Sequence, residues 1–174
     1  GKGNVNDTYL EYGGNNETTH KTTTTYTFKF DLFKTDGTNE LNGAEFILYK
    51  KVNAKEVVME FVEVKDGDGN ITSYRVATAN DTEKTTTIKV GSTTIFGLDE
   101  DTYYLRETKA PEGYNKLTSD ITVAIDANIS ASDGSSSITI NSKNTDDVTV
   151  VNTTGALLPT TGGMGTTLFI TVGS

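Results

Sequence analysis

The chain contains no cysteine, two prolines and a single histidine. Without cysteine there is neither a disulfide nor a thiolate metal ligand, so any covalent staple must come from other side-chain chemistry. One histidine, His20, excludes both a His-based catalytic triad and a multi-histidine metal centre. With so little proline, and with Thr, Gly, Asn and Asp abundant, the composition favours strands joined by turns. Positive charge is also short: 15 Lys and Arg against 24 Asp and Glu leave a formal net charge of -9. That field repels phosphate backbones and argues against nucleic acid as a partner. Its plainest role is solubility. No apolar run approaches the roughly 20 residues that a membrane-spanning helix needs.

What is present is enough apolar side chain for a core, 34% hydrophobic against 22% charged residues in a 174-residue chain. That length suggests one sizeable domain with flanking segments. Residues 1–22 read as the end of a preceding domain and a linker. They open on Gly1-Lys2-Gly3 without a leader pattern, and a short strand is expected over Val5 to Tyr12. Residues 23–154 carry the compact domain. From residue 155 the composition shifts: Leu158-Pro159-Thr160-Thr161-Gly162 leads into Thr167-Leu168-Phe169-Ile170-Thr171-Val172, the expected start of a longer hydrophobic anchor.

Within 23–154 the apolar period is two. Tyr26, Phe28, Phe30, Leu32 and Lys34 share one face of a strand over Thr25 to Thr35, which Asp36-Gly37 ends. Further strands are expected over Glu45 to Lys51, Val57 to Val64, Ile71 to Thr78, Thr85 to Val90, Thr102 to Thr108, Ile121 to Ile125, Ser137 to Asn141 and Val148 to Asn152. Asp66-Gly67-Asp68-Gly69-Asn70 has the composition of a hairpin loop. It echoes a calcium loop, but Ile71 and Ala77 stand where that motif requires Gly and Glu, so a polar hairpin is the better reading. Many short strands without a helical period predict an all-β sandwich.

Three polar residues fall on the apolar parity. Lys34 continues the Phe28/Phe30/Leu32 series, Glu107 follows Tyr103 and Leu105, and Asn152 follows Val148 and Val150. An ion buried alone costs several kcal/mol, which makes these three natural partners. Periodicity by itself equally allows each to sit at a strand end and reach water. If all three are buried, low dielectric favours a neutral lysine amine and a protonated glutamic acid. The amine can attack the Asn152 carboxamide while Glu107 donates a hydrogen bond to it and shuttles protons. Ammonia leaves, and an amide joins the two side chains. Asn141 is the rival acceptor, although its parity with Ser137 and Thr139 points it outward. Lys109 reads as a solvated loop residue, and Asn4 or Asn6 as possible acceptors for an upstream domain.

Leu32-Phe33-Lys34-Thr35-Asp36 with Leu41-Asn42-Gly43-Ala44-Glu45-Phe46 resembles the opening of collagen-adhesin B-type (Cna B) domains. Tyr103-Tyr104-Leu105-Arg106-Glu107-Thr108-Lys109-Ala110-Pro111-Glu112-Gly113-Tyr114 is similar to the family's E-box. The resemblance runs roughly from Thr23 to Thr154. It implies an immunoglobulin-like (Cna B-type) β-sandwich with a self-catalysed isopeptide bond between Lys34 and Asn152, assisted by Glu107. No cofactor and no metal are implied.

Residues 158–162 match an LPxTG sorting motif. That match implies cleavage between Thr161 and Gly162 by a sortase, which passes the Thr161 carbonyl to an amine on a neighbouring pilin or on cell-wall peptidoglycan. Proline holds the preceding residue extended, and glycine opens access to the scissile bond. Together the resemblances imply an extracellular, wall-anchored structural subunit like the C-terminal domain of a streptococcal backbone pilin. The alternative is the stalk of an adhesin or minor pilin, whose host-surface ligand the sequence does not name. A turnover enzyme is the weakest reading, because a Lys/Glu/Asn group that cross-links itself reacts once.

Overall fold

The computed structural model describes residues 4–8, 11–12, 16–17, 21–25, 27–129, 136–141, 143 and 145–155, with side chains over 27–127, 139–141, 143 and 145–155. His20, Tyr26 and the 158–162 motif lie outside the described residues.

The opening segment is more paired than one strand. Strand β1 (Asn4–Thr8) runs antiparallel to β4 (Lys21–Thr25), and β2 (Glu11–Tyr12) pairs with β3 (Asn16–Glu17) inside that span. The expected single strand over Val5 to Tyr12 is therefore divided into two, β1 and β2, each paired with its own later strand.

The rest is a sandwich of two sheets. One comprises β5 (Phe28–Thr35), β8 (Phe61–Lys65), β9 (Ile71–Val76), β11 (Ser92–Leu98) and β15 (Asp147–Val151), in the order β15-β5-β11-β9-β8. The other comprises β6 (Ala44–Val52), β7 (Lys55–Val58), β10 (Ile88–Val90), β12 (Asp101–Lys109), β13 (Ile121–Ile129) and β14 (Ser136–Ile140). Its order is β10-β6-β12-β13-β14, with β7 also on β6. Period-two sequence fills the space between them. Phe28, Phe30 and Leu32 of β5 and Val148 and Val150 of β15 meet Ala44, Phe46 and Leu48 of β6, Tyr103 and Leu105 of β12, and Ile121, Val123 and Ile125 of β13. Each fully buried Phe, Leu, Ile or Val contributes about 1.5–3 kcal/mol relative to exposure, before conformational entropy is set against it.

Two departures from the expected strands have local causes. Val57 to Val64 is not one strand, because at Met59-Glu60 the chain changes sheets. Met59 N–H donates to Leu48 O and Phe61 N–H to Thr85 O, both at 2.8 Å. Periodicity also passes over β11, although it lies at the centre of its sheet between β5 and β9. Glycine brackets that strand. At Gly91 the chain steps from β10 to β11, and a Cβ there would collide with the Asn42 carboxamide. Gly97 has φ +84° at the bulge between Phe96 and Leu98, a conformation L side chains rarely adopt. The bulge breaks the apolar alternation on which sequence reading relies.

The Asp66 to Asn70 loop is a self-bonded hairpin turn. Asp66 Oδ1 accepts from the main-chain N–H of Asp68 and of Asn70, both at 2.9 Å. These bonds hold its carboxyl below the usual carboxylate range.

Candidate cross-linking site

Three strands bring the polar residues together at one end of the core. Strand β15 lies parallel to β5 with Val150 opposite Lys34, and the Asn152 main-chain N–H donates to Thr35 O at 3.0 Å. Lys34 and Asn152 are thus diagonal neighbours on the inner face of one sheet, a spacing that a long side chain spans. Glu107 faces them from β12 in the opposite sheet. Lys34 is 0%, Asn152 1% and Glu107 2% exposed. With Thr93, they are the buried polar and charged residues among those described.

Each side chain has defined partners. Lys34 Nζ donates to Val150 O at 3.1 Å. Asn152 Nδ2 donates to Glu107 Oε1 at 2.9 Å and Oε2 at 3.0 Å, and to the Asn115 carbonyl at 2.9 Å. Glu107 Oε2 also accepts from Leu117 N–H at 2.8 Å. The carboxyl therefore accepts from the carboxamide, whereas the sequence reading had it donating. Asn152 Oδ1 is buried without a hydrogen-bond partner. An unsatisfied buried carbonyl of this kind costs about 1–3 kcal/mol.

The electrostatics favour a reactive amine. Burial pulls the Lys34 pKa down to about 8, while the nearby Glu107 carboxyl raises it and so opposes part of that shift. An amine poised there reaches its nucleophilic free-base form near neutrality far more readily than an exposed lysine.

Other candidates lie elsewhere. Asn141, with φ 52°, caps β13: its Oδ1 accepts from Ala124 N–H at 2.9 Å and its Nδ2 donates to Thr122 O at 3.0 Å. That occupies it in the sheet opposite Lys34. Lys109 ends β12 rather than lying in a loop, and sits 3.8 Å from Glu45 on the surface. Sequence reading missed Asn115 and Leu117, which act through main-chain atoms. The only available signal was their place just after the Ala110-Pro111-Glu112-Gly113-Tyr114 turn.

On the outer face of β12, Arg106 forms a separate charged network. Its guanidinium donates to both oxygens of Glu56 at 2.9 and 3.0 Å and to Asp120 at 2.8–3.1 Å. It also lies 4.7 Å over the Tyr49 ring. Tyr49 O–H donates to Asp120 Oδ2 at 2.6 Å, and burial together with that acceptor pushes its pKa to about 12.

A family described as SpaA, prealbumin-like fold domain, matches residues 28–144. Among solved structures, the group B streptococcus pilus 2b backbone protein is similar at 30% identity. That match covers 83% of this chain and 47% of that one, with a TM-score of 0.45. GBS52, the minor pilin of Streptococcus agalactiae, is 22% identical, with 79% and 48% covered and a TM-score of 0.48. The shaft pilin SpaA from Lactobacillus rhamnosus GG is 20% identical, with 80% and 50% covered and a TM-score of 0.45. The chain spans about half the length of these structures. No curated protein sequence matches it significantly. The family match covers more than half of the chain, and the chain belongs to the SpaA prealbumin-like fold domain family.

Proposed function

We propose that the chain is the wall-proximal part of a pilus subunit on a Gram-positive cell surface, stapled by an isopeptide bond between Lys34 and Asn152. In this reading residues 23–154 form the stapled sandwich, 1–22 lead in from an upstream domain, and 155–174 carry the sorting signal. The observation that carries the reading is the burial of Lys34, Glu107 and Asn152 at one end of the core, with Glu107 on the Asn152 amide nitrogen.

The chemistry balances without a cofactor. Once the Lys34 ammonium has lost its proton to solvent, the free amine attacks Cγ of Asn152 while Oδ1 takes the carbonyl electron pair. The Glu107 carboxylate then takes a proton from Nζ and gives one to Nδ2. The Cγ–Nδ2 bond breaks, ammonia leaves and the carbonyl re-forms. Glu107 is well placed for the transfer to the leaving group because it contacts the departing nitrogen at 2.9 and 3.0 Å. Holding amine and carboxamide together in a dry interior supplies much of the rate.

The bond would tie β5, the first sandwich strand, to the stretch just after β15, the last. A pull on the chain ends then loads a covalent bridge instead of a hydrogen-bond ladder. Chain-entropy arguments developed for disulfides give about 5 kcal/mol for closing a loop of this size. Through Leu158, Pro159, Thr160, Thr161 and Gly162 a sortase would join Thr161 to a neighbouring subunit or to peptidoglycan.

Intact mass tests the staple. The wild-type chain should weigh less than its sequence by one ammonia, and Glu107→Ala should restore the full mass. A wild-type chain of full mass rules the staple out. Incubation with a pilin sortase tests the anchor: wild type should form covalent adducts, and Thr161→Ala should form none.

A further inference from the structure

The segment that follows β12 fixes more than a turn. Tyr114 N–H donates to Pro111 O at 3.1 Å, and Tyr114 O–H donates to Asp36 Oδ2 at 3.2 Å, latching the segment onto the end of β5. The next residue, Asn115, grips the outgoing chain. Its main-chain N–H donates to Thr153 O at 2.9 Å, and its side-chain Nδ2 donates to Gly155 O. These contacts leave the Asn115 carbonyl aimed inward, 2.9 Å from Asn152 Nδ2.

A count of hydrogens shows what that carbonyl selects. Asn152 Nδ2 faces the Glu107 carboxyl on one side and the Asn115 carbonyl on the other, and it carries one hydrogen for each. A carboxylate in its place has no hydrogen, and a carboxylic acid has one. Turning the carboxamide over would set Oδ1 against the Asn115 carbonyl, acceptor against acceptor. The nitrogen is thereby held on Glu107 as the group to depart, and Oδ1 is left as the oxygen that gains charge.

We propose that Asn115 is the specificity-determining residue of the cross-linking site, its pinned carbonyl making the site select a carboxamide acceptor over a carboxylic acid. The proposal rests on the cross-linking reading above and refines it. With an acid at position 152, water would leave in place of ammonia, and one buried acceptor would lose its donor during the reaction.

The test is a cycle of four chains: wild type, Asn152→Asp, Asn115→Ala and the double variant. Each is obtained as the unlinked chain in denaturant, folded by dilution and followed by intact mass against time. Asn152→Asp, nearly isosteric, should cross-link roughly tenfold or more slowly than wild type. In the Asn115→Ala background the ratio between the two acceptors should shrink towards one, because the carbonyl is no longer pinned through Gly155. A merely structural Asn115 would slow both acceptors alike, and an unchanged ratio overturns the proposal. Water loss from Asn152→Asp as fast as ammonia loss from wild type also overturns it. A wild-type chain that never loses ammonia overturns the cross-linking reading as well.

A second measurement needs no acid at position 152. In Glu107→Ala, where the carboxamide persists, one Asn152 Nδ2 proton should exchange slowly with solvent, and adding Asn115→Ala should speed it. Equal exchange rates in the two chains would contradict the proposal.

Discussion

Arg106 and Glu107 are neighbours on one strand and live in opposite physical settings. Arg106 points outward, its side chain 38% exposed, and divides its donors between Glu56 and Asp120. Glu107 points inward, 2% exposed, with one amide nitrogen and one main-chain N–H as donors. Water screens the outer charges, so that network can be rearranged or lost at small cost. Nothing screens the inner group, so breaking it leaves uncompensated polarity in the core. A surface network adds increments of stability. A buried one has to be resolved, and the proposed amide would resolve it by turning an amine and a carboxamide into a single neutral group.

Four experiments would sharpen or break that contrast. The largest effect is expected inside: Glu107→Ala should keep its full mass and lose about 5 kcal/mol in denaturant unfolding, the contribution of the closed loop. Unchanged stability would place the contribution elsewhere. Lys34→Met also prevents the bond but removes the buried charge, so it should fall short of wild type by less than Glu107→Ala does. Equal losses would mean that the unpaired amine costs nothing. The rate of bond formation should depend on pH through Lys34. Raising pH strips its proton, so the rate should climb about tenfold per unit below about 8 and level off above it. A flat or falling profile, read by mass as unlinked chains are folded out of denaturant, would contradict a lysine nucleophile. The smallest effect belongs to the outer face: Arg106→Met should cost about 1 kcal/mol, less at high salt, and leave the mass deficit intact.

Much of this was legible in the sequence because strands advertise their faces. The alternation in Phe28-Lys29-Phe30-Asp31-Leu32 and in Tyr103-Tyr104-Leu105 carries directly through to Lys34 and Glu107, and both parities hold in the folded chain. What could not be read has local explanations. Strand β11 is hidden by Gly91 and the Gly97 bulge, and the change of sheet at Met59-Glu60 falls in a stretch, Val57 to Val64, with no glycine or proline to mark it. Leu117 meets Glu107 through its main-chain N–H and Asn115 meets Asn152 through its main-chain carbonyl, groups every residue has, so neither side chain announces the contact. The direction of the hydrogen bond between Glu107 and Asn152 depends on the Asn115 carbonyl, a contact between segments that alternation cannot supply.

The most direct test of the whole account is tandem mass spectrometry on a protease digest of the refolded wild-type chain. The peptide containing Lys34 should be joined to the peptide containing Asn152, the pair lighter than their sum by one ammonia. Two separate peptides of unmodified mass, or a linkage from Lys34 to Asn141, would contradict it.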